Sequence, residues 1–210
     1  MGDSSSASGL AKRYFRQTAE LFGNNLYLDS MPDLSDQDGS LTLDSFREQI
    51  CKCVKCPLGH TRIKFVFGVG DPHADLVFVG EAPGRDEDLQ GEPFVGRAGQ
   101  LLDKILAAIK RSRDEVYICN ILKCRPPDNR TPHQNEIESC MPFLERQLNI
   151  IKPKLIVALG ATSAHALLKV KTPLGKLRSK KWKWKNFDLV VTYHPAALLR
   201  NPAFKRPAWE

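Results

Sequence analysis

The sequence contains no long apolar run and no recognisable export signal. No stretch reaches the roughly 18 consecutive apolar residues that a membrane-spanning helix needs. The first six residues lack the basic start and apolar core of a secretory signal, and they lack the arginine-rich, acid-poor character of an organelle transit peptide. These absences argue against a membrane partner and predict a cytoplasmic protein.

Acidic residues are fewer than basic ones. The 210 residues include 31 Lys and Arg against 24 Asp and Glu, which gives a formal net charge of +7. An excess of positive charge suits a partner with a phosphate backbone, because neutralising phosphates releases counterions. Since many basic proteins never bind nucleic acid, the charge supports such a partner without deciding it.

Cysteine is sparse, with six residues, and disulfides are not expected because the cytoplasm keeps thiols reduced. Cys53 and Cys56 form a C-x2-C pair, and Cys124 and Cys140 follow far downstream. Four thiolates from two separated segments can hold a zinc ion or an iron–sulfur cluster, and their spacing leaves both open. Unligated core cysteines are the weaker alternative, because Cys53 and Cys56 lie in a polar, lysine-containing stretch.

The chain divides into an arm and a domain. Residues 1–40 predict a Ser-rich start, a short helix and a linker, and the domain is expected to cover 41–210. Short apolar runs typical of strands buried on both faces alternate there with apolar stripes of helical period. The pattern predicts a three-layer α/β/α sandwich whose mostly parallel central sheet has four strands, plus a small accessory hairpin. The four predicted strands lie at residues 76–79, 116–119, 155–159 and 189–192.

Polar side chains follow three of the predicted strands. Glu81 comes after the first strand, Asn120 after the second and His194 after the last. Because open α/β sheets bind ligands at the carboxyl ends of their strands, these three groups are expected to meet at one edge. Asn120 suits the Watson–Crick edge of a pyrimidine, and the loop residue Phe94 suits a stacking platform. The plainer alternatives are a turn-forming Asn, a structural His and an aromatic core plug.

Residues 178–185 interleave basic and aromatic side chains. Such a segment can contact DNA, or it can form a hairpin strand whose tryptophans, Trp182 and Trp184, pack against the domain. We favour packing for the tryptophans and leave the role of the lysines open.

Five motifs follow one another along the domain. They are GEAPG at 80–84, G-x-PFVG-x-AG at 91–99, VYI-x-N at 116–120, KCRPP-x-NR at 123–130 and HP-x-x-LLRNP at 194–202. Taken together and in this order, they resemble the motifs of the family 4 uracil-DNA glycosylases, the iron–sulfur branch of that superfamily. The resemblance runs from about residue 41 to the end of the chain.

The resemblance implies an enzyme that flips uracil out of DNA and hydrolyses its N-glycosidic bond. It does not say whether the DNA is single- or double-stranded. No lysine occupies a motif position as an amine nucleophile, so we expect a monofunctional enzyme that leaves an abasic site. The resemblance also implies a structural [4Fe-4S] cluster on Cys53, Cys56, Cys124 and Cys140, with zinc as the alternative. We expect the protein to be a monomer.

The resemblance further assigns catalytic and base-contacting roles. Glu81 would position or activate the attacking water, with Ala82 and Pro83 beside the base. His194 would donate a hydrogen bond to the O2 oxygen of uracil as negative charge develops there.

Two more pairs of residues take roles from the resemblance. Phe94 would be the stacking platform, and Asn120 would read the edge of uracil. Leu198 would wedge into the DNA stack, and Arg200 would contact the DNA.

Two alternatives remain open. A covalent DNA-trapping relative shares most of these motifs but carries a basic, His-containing insertion, whereas residues 125–139 hold His133 without such an insertion. A non-catalytic iron–sulfur DNA-binding module would explain the charge and the cysteines, but it would leave Glu81, Asn120 and His194 unexplained.

Overall fold

The computed structural model describes residues 41–209. The predicted arm at residues 1–40 lies outside the described residues, so the boundary at 41 stays a prediction. The helices are α1 (Leu43–Ile50), α2 (Leu58–Thr61), α3 (Arg85–Gln90), α4 (Arg97–Ala108), α5 (Gln134–Ile151), α6 (Ala161–Leu168), α7 (Leu174–Arg178), α8 (Pro195–Arg200) and α9 (Lys205–Trp209). The strands are β1 (Val69–Gly70), β2 (Leu76–Gly80), β3 (Tyr117–Asn120), β4 (Leu155–Leu159), β5 (Trp182–Trp184) and β6 (Phe187–Thr192). Short 3-10 helices lie at Arg113–Glu115, Pro127–Asn129 and Pro202–Phe204.

The strands form one mostly parallel sheet in the order β1-β3-β2-β4-β6-β5. The four predicted strands, β2, β3, β4 and β6, pair in parallel at its centre. The α/β class is therefore confirmed, but the sheet has six strands rather than four. The antiparallel edge strand β1 was missed because it is only two residues long and ends in glycine. The predicted hairpin is not an accessory, since β5 pairs with β6 and closes the other edge of the same sheet.

Alternate residues of the central strands pack on opposite faces of the sheet, which produces the three layers. In β2, Val77 and Val79 join the larger core cluster, while Phe78 joins a second cluster on the opposite face. Helices α1, α5 and α6 cover the first face, and α4 covers the second with Leu102 and Leu106. Burial on both faces explains why β2 and β4 are continuous apolar runs.

The basic and aromatic segment at residues 178–185 mainly contributes side chains to the core and to ion pairs. Trp184 is buried in the larger core cluster and Trp182 packs against it, as predicted. Lys183 pairs with Asp188 at 2.8 Å. Within residues 41–209, no helix is long and apolar enough to cross a membrane.

Candidate active site

The carboxyl ends of the central strands border a cavity of about 640 Å³. The three polar residues predicted to meet, Glu81, Asn120 and His194, all line it. Phe94 contributes to the same wall. The other predicted residues that line it are Ala82, Pro83 and Arg200. Its volume falls within the range typical of small-molecule sites, so a flipped-out nucleotide has room to enter.

Asn120 presents a buried acceptor to this cavity. The residue is 2 % exposed, and its Oδ1 atom has no hydrogen-bond partner within the part of the chain that the structure describes. A Cβ atom placed on Gly80 would lie 2.3 Å from this Oδ1 and 2.7 Å from Cζ of Phe94. The amide and the aromatic ring therefore both pack against the bare Cα of Gly80. A buried acceptor without a hydrogen-bond partner costs about 1–3 kcal/mol of stability. A ligand N–H that donates to this oxygen would remove that cost.

The hydrogen bonds of His194 define its tautomer. Its Nδ1 atom accepts from the backbone N–H of Ala196 at 3.1 Å, so the proton of the neutral ring lies on Nε2. Burial and, to a smaller extent, the charge of Arg200 lower the pKa of His194 to about 4, and Glu87 opposes the shift. The imidazole is therefore neutral at pH 7, with one N–H left to donate. The ring stacks on Phe94 with 5.4 Å between centroids.

Glu81 is held at the rim of the cavity by its backbone. Its carbonyl accepts from the N–H of Leu122 at 3.1 Å, which ties the end of β2 to the segment after β3. Across residues 41–209, the Glu81 carboxylate has no hydrogen-bond or ion-pair partner, and it is only half-buried. An unpaired carboxylate beside the cavity is free to hold a water molecule.

Glu87 is a site residue that the sequence analysis missed. Its Oε1 atom accepts from the N–H groups of Val95 and Gly96 at 3.0 and 3.1 Å, and its Oε2 atom accepts from Gly84 at 3.1 Å. One carboxylate thus joins two loops that line the cavity. Its position three residues after the N-cap of α3 was the available signal, because a Glu at that position commonly caps a helix.

The structure differs from the expectation for Leu198. This side chain is 3 % exposed and belongs to the buried core, so it does not project from the surface. The exposed leucine of α8 is its neighbour Leu199, which is 37 % exposed. Arg200 is exposed and lies at the cavity, where a phosphate could approach it.

The segment between Cys124 and Cys140 also reaches the cavity, but not through its histidine. Arg130 lines the cavity and is held by Glu136, whose oxygens accept at 2.6 and 2.9 Å. His133 caps the N-terminus of α5, is exposed and does not line the cavity. A nucleophilic histidine at the sugar is therefore not supplied from this segment.

The four predicted ligand cysteines are free thiols that influence one another. Cys124 and Cys140 are buried, whereas Cys53 and Cys56 are half-buried. Burial raises the pKa of the Cys124 thiol, and the charges of Cys56 and Cys53 raise it further. The pKa of Cys140 is raised to about 12, chiefly by burial; Lys123 opposes the rise, and Cys124 and Cys56 contribute to it. Cys124 is thus influenced by Cys53 and Cys56, and Cys140 by Cys56 and Cys124.

Two basic side chains accompany the thiols, and the sequence analysis assigned a role to neither. Arg62 donates to Sγ of Cys124 at 3.2 Å and to the carbonyls of Cys53 and Cys51 at 2.6 and 2.9 Å. Lys123 is 0 % exposed and donates from Nζ to the backbone carbonyl of Asn120 at 2.9 Å. Lys123 belongs to the KCRPP motif, but nothing in the sequence indicated that its side chain is buried.

The four thiols supply the donor chemistry of a metal site, but their arrangement does not form one. Among residues 41–209, no group of three or more His, Cys, Asp or Glu side chains stands in a position to hold a metal ion. Buried thiolates without metal are nevertheless unfavourable, as the raised pKa values of Cys124 and Cys140 indicate. Metal binding would remove that penalty, because thiolates bind metal in their deprotonated form.

Comparison with known proteins identifies the family. Residues 67–210 match the family model described as the uracil DNA glycosylase superfamily. Because this match covers more than half of the chain, the fold and its site define a member of that superfamily.

Three similar proteins indicate the branch of the superfamily to which the chain belongs. A type-4 uracil-DNA glycosylase of Archaeoglobus fulgidus is 45% identical over 172 residues, covering 78% of this chain and 86% of that protein. Another from Sulfurisphaera tokodaii is 44% identical over 174 residues, covering 79% of each. A third from Thermotoga maritima is 46% identical over 156 residues, covering 73% of this chain and 81% of the relative. The chain belongs to the type-4 uracil-DNA glycosylases, which confirms the predicted family.

Proposed function

We propose that this chain is a monofunctional uracil-DNA glycosylase, which hydrolyses the N-glycosidic bond of deoxyuridine in DNA and leaves an abasic site. The observation that carries the proposal is the meeting of Glu81, Asn120 and His194 around one cavity walled by Phe94. The membership in the type-4 family supports the same activity. The bond is inaccessible inside a duplex, so the nucleotide enters the cavity flipped out of the stack.

Asn120 reads the base by pairing with its Watson–Crick edge. The unpaired Oδ1 atom accepts the N3–H of uracil, and the amide nitrogen donates to O4. Cytosine carries an acceptor at N3 and a donor at N4, so both contacts would be mispaired. Leaving polar groups mispaired in a buried site disfavours the wrong base strongly, which is how such sites reject close analogues.

His194 stabilises the leaving base. The neutral ring donates its Nε2–H to O2 of uracil, where negative charge accumulates as the C1′–N1 bond breaks. The backbone N–H of Ala196 holds the ring in this tautomer, so the donor is in place before the reaction. Removing one donor to a developing oxyanion typically lowers the rate by about 10²–10³-fold.

Glu81 orients the attacking water and stabilises the positive charge that develops on the sugar. Its unpaired carboxylate orients a water molecule toward C1′ and offsets the positive charge of an oxocarbenium-like sugar. The water oxygen forms the new bond to C1′, the bonding pair of C1′–N1 leaves with uracil, and the water proton passes to the carboxylate. No covalent intermediate with the protein is required.

The four cysteines are proposed to hold a [4Fe-4S] cluster. It would cross-link the Cys53–Cys56 segment to Cys124 and Cys140 and supply structural rigidity rather than redox chemistry. Zinc is the alternative that the thiol set also permits. An absorbance near ~400 nm that dithionite bleaches would establish the cluster, whereas a colourless protein with stoichiometric zinc would refute it.

Side chains around the cavity indicate where the protein contacts DNA beyond the flipped base. Arg200 and Arg130 border the cavity entrance and are suited to the flanking phosphates. Leu199, rather than the buried Leu198, is the leucine that can enter the space left by the flipped base. A cytoplasmic, monomeric protein remains part of the proposal.

The decisive experiment is excision of uracil from a labelled strand, followed by alkaline cleavage at abasic sites. Single-stranded DNA and duplexes with U·G and U·A pairs serve as substrates, and Glu81→Gln and Asn120→Ala should both lose excision. His133→Ala is the matched control, because His133 lies outside the cavity. Wild-type protein that binds DNA without excision would indicate the non-catalytic module. A denaturant-stable protein–DNA adduct would indicate the trapping relative instead.

A further inference from the structure

The backbone of Phe94 adopts a conformation that its side chain disfavours. Its φ angle is +55°, in the left-handed region that bulky residues rarely enter. The ring is nonetheless 5 % exposed and forms part of the cavity wall. A strained residue at a functional site persists only when its surroundings hold it there. The question is therefore which groups hold the loop around Phe94.

Charged side chains hold this loop from both sides of Phe94. Arg113 donates from Nη2 to the carbonyl of the preceding Pro93 at 2.7 Å and from Nη1 to the carbonyl of Phe94 itself at 3.1 Å. On the carboxyl-terminal side, Glu87 accepts from the next two N–H groups at 3.0 and 3.1 Å. The carbonyls before the turn and the amides after it are thus all bonded to charged groups.

A third residue orients the guanidinium. Asp103, on α4, accepts from Nη1 of Arg113 at 2.9 Å. The same helix packs closely against the loop, because a Cβ atom on Gly99 would lie 1.7 Å from the carbonyl oxygen of Phe94. The guanidinium is therefore anchored to the helix that supports the loop.

We propose that Arg113 is a positioning residue of the active site, which fixes the aromatic wall through the carbonyls of Pro93 and Phe94 and so aligns the base. The proposal rests on the proposed function, since it takes Phe94 as the surface on which the base stacks. Arg113 precedes β3, does not line the cavity and does not touch the base. Because Phe94 also stacks on His194, a displaced loop would disturb the oxyanion donor as well.

The chemistry of the contact requires arginine. A guanidinium presents several donors in one rigid plane, which suits two successive carbonyls and a carboxylate together. The single ammonium of lysine cannot reproduce that fork. Arg113→Lys should therefore restore only part of the function that Arg113→Met loses.

Arg111 provides a matched control two residues away. It pairs with Glu115 at 3.1 Å across one exposed turn, with 55% of its side chain exposed. It makes no contact with the loop that holds Phe94 within the hydrogen bonds of residues 41–209. Arg111→Met removes the same charge from the same surface and leaves the loop untouched.

The test combines kinetics with a readout that does not depend on activity. In single-turnover excision of uracil, Arg113→Met should be slower by about 10–100-fold, since a displacement near 1 Å can cost about 10²-fold. Binding to abasic-site DNA should be unchanged, and Arg111→Met should match the wild type. Amide hydrogen exchange, measured well below the thermal midpoint, should show that Val95 and Gly96 lose protection in Arg113→Met alone.

The outcomes separate the two hypotheses. If the wild type excises no uracil but Arg113→Met still exposes the amides of Val95 and Gly96, the proposed function is wrong. The inference that Arg113 holds the loop around Phe94 is then still supported. If the wild type is active and Arg113→Met equals Arg111→Met in both rate and exchange, the positioning role is overturned. A variant with a lower midpoint but a normal rate would likewise reduce Arg113 to a purely structural residue.

Discussion

Replacing Gly80 with alanine tests how closely the base-reading amide and the aromatic wall are packed. The added Cβ would lie 2.3 Å from Oδ1 of Asn120 and 2.7 Å from Cζ of Phe94, whereas real Cβ atoms essentially never approach closer than 3.0 Å. Restoring even that limit moves the amide oxygen by at least 0.7 Å (3.0 − 2.3). Neither neighbour yields easily, because Asn120 is 2 % exposed and Phe94 is 5 % exposed.

The displacement should lower both the rate of catalysis and the stability of the fold. A shift approaching 1 Å at the reacting base predicts a loss of about 10–100-fold in the single-turnover rate on uracil-containing DNA. Overpacking at a buried position costs about 1–3 kcal/mol, which urea unfolding would measure. The backbone of Gly80 lies outside the left-handed region, so alanine adds bulk without backbone strain.

Gly175 supplies the control for this substitution. It lies in α7, and a Cβ atom placed there meets nothing within 4 Å. Gly175→Ala should leave excision unchanged and stabilise the protein by up to about 1 kcal/mol, because alanine favours helix. A Gly80→Ala protein that excises uracil within about twofold of the wild type would refute the tight packing of Asn120 and Phe94 against Gly80.

Three further predictions concern pH, DNA and the cysteine cluster. Because burial lowers the pKa of His194 from 6.5 to about 4, its neutral form stabilises the fold fully above pH 6.5, and this contribution, up to about 3 kcal/mol, is lost as the pH falls toward 4. The free energy of unfolding, measured with urea, should therefore fall more between pH 7 and 4 for the wild type than for His194→Asn. An equal fall in both proteins would contradict a ring that is neutral in the folded state. Leu199→Ala should weaken excision from duplex DNA more than from single strands, measured by single-turnover rates, while equal losses would argue against a wedge. Arg62→Met removes three hydrogen bonds to the segments carrying Cys53 and Cys124 and should lower the metal content per chain, whereas unchanged iron and zinc analyses would show that Arg62 does not support the cluster.

The central part of the fold was predictable because burial on two faces leaves a plain mark on the sequence. Strands such as β2 and β4 are covered by helices on both sides, so they are uninterrupted apolar runs. The edge strands leave a weaker mark. β1 has two residues and depends on its pairing with β3, and β5 is recognisable as part of a hairpin but not as part of the main sheet.

The candidate site was predictable to the extent that it lies on strand ends. Glu81, Asn120 and His194 lie at or just after the carboxyl ends of parallel strands, and the geometry of parallel sheets brings such positions together. Leu198 shows where motif position fails. Two successive leucines in a short helix face different directions, and only the packing of α8 determines that Leu199 is the exposed one.

Residues that act through backbone contacts leave no periodic pattern, and this explains why Glu87 and Arg113 escaped the sequence analysis. Each holds the turn at Phe94 by bonds to main-chain atoms, so the sequence around that turn does not identify either partner. The two parts of the site therefore differ in their support. The groups that read and stabilise the base lie at the edge of the sheet. The wall on which the base stacks lies on a loop in which Phe94 has a positive φ angle and charged side chains bind the main chain. Substitutions in that loop's supports should therefore alter the rate of base removal while leaving the sheet, and its cooperative unfolding, close to unchanged.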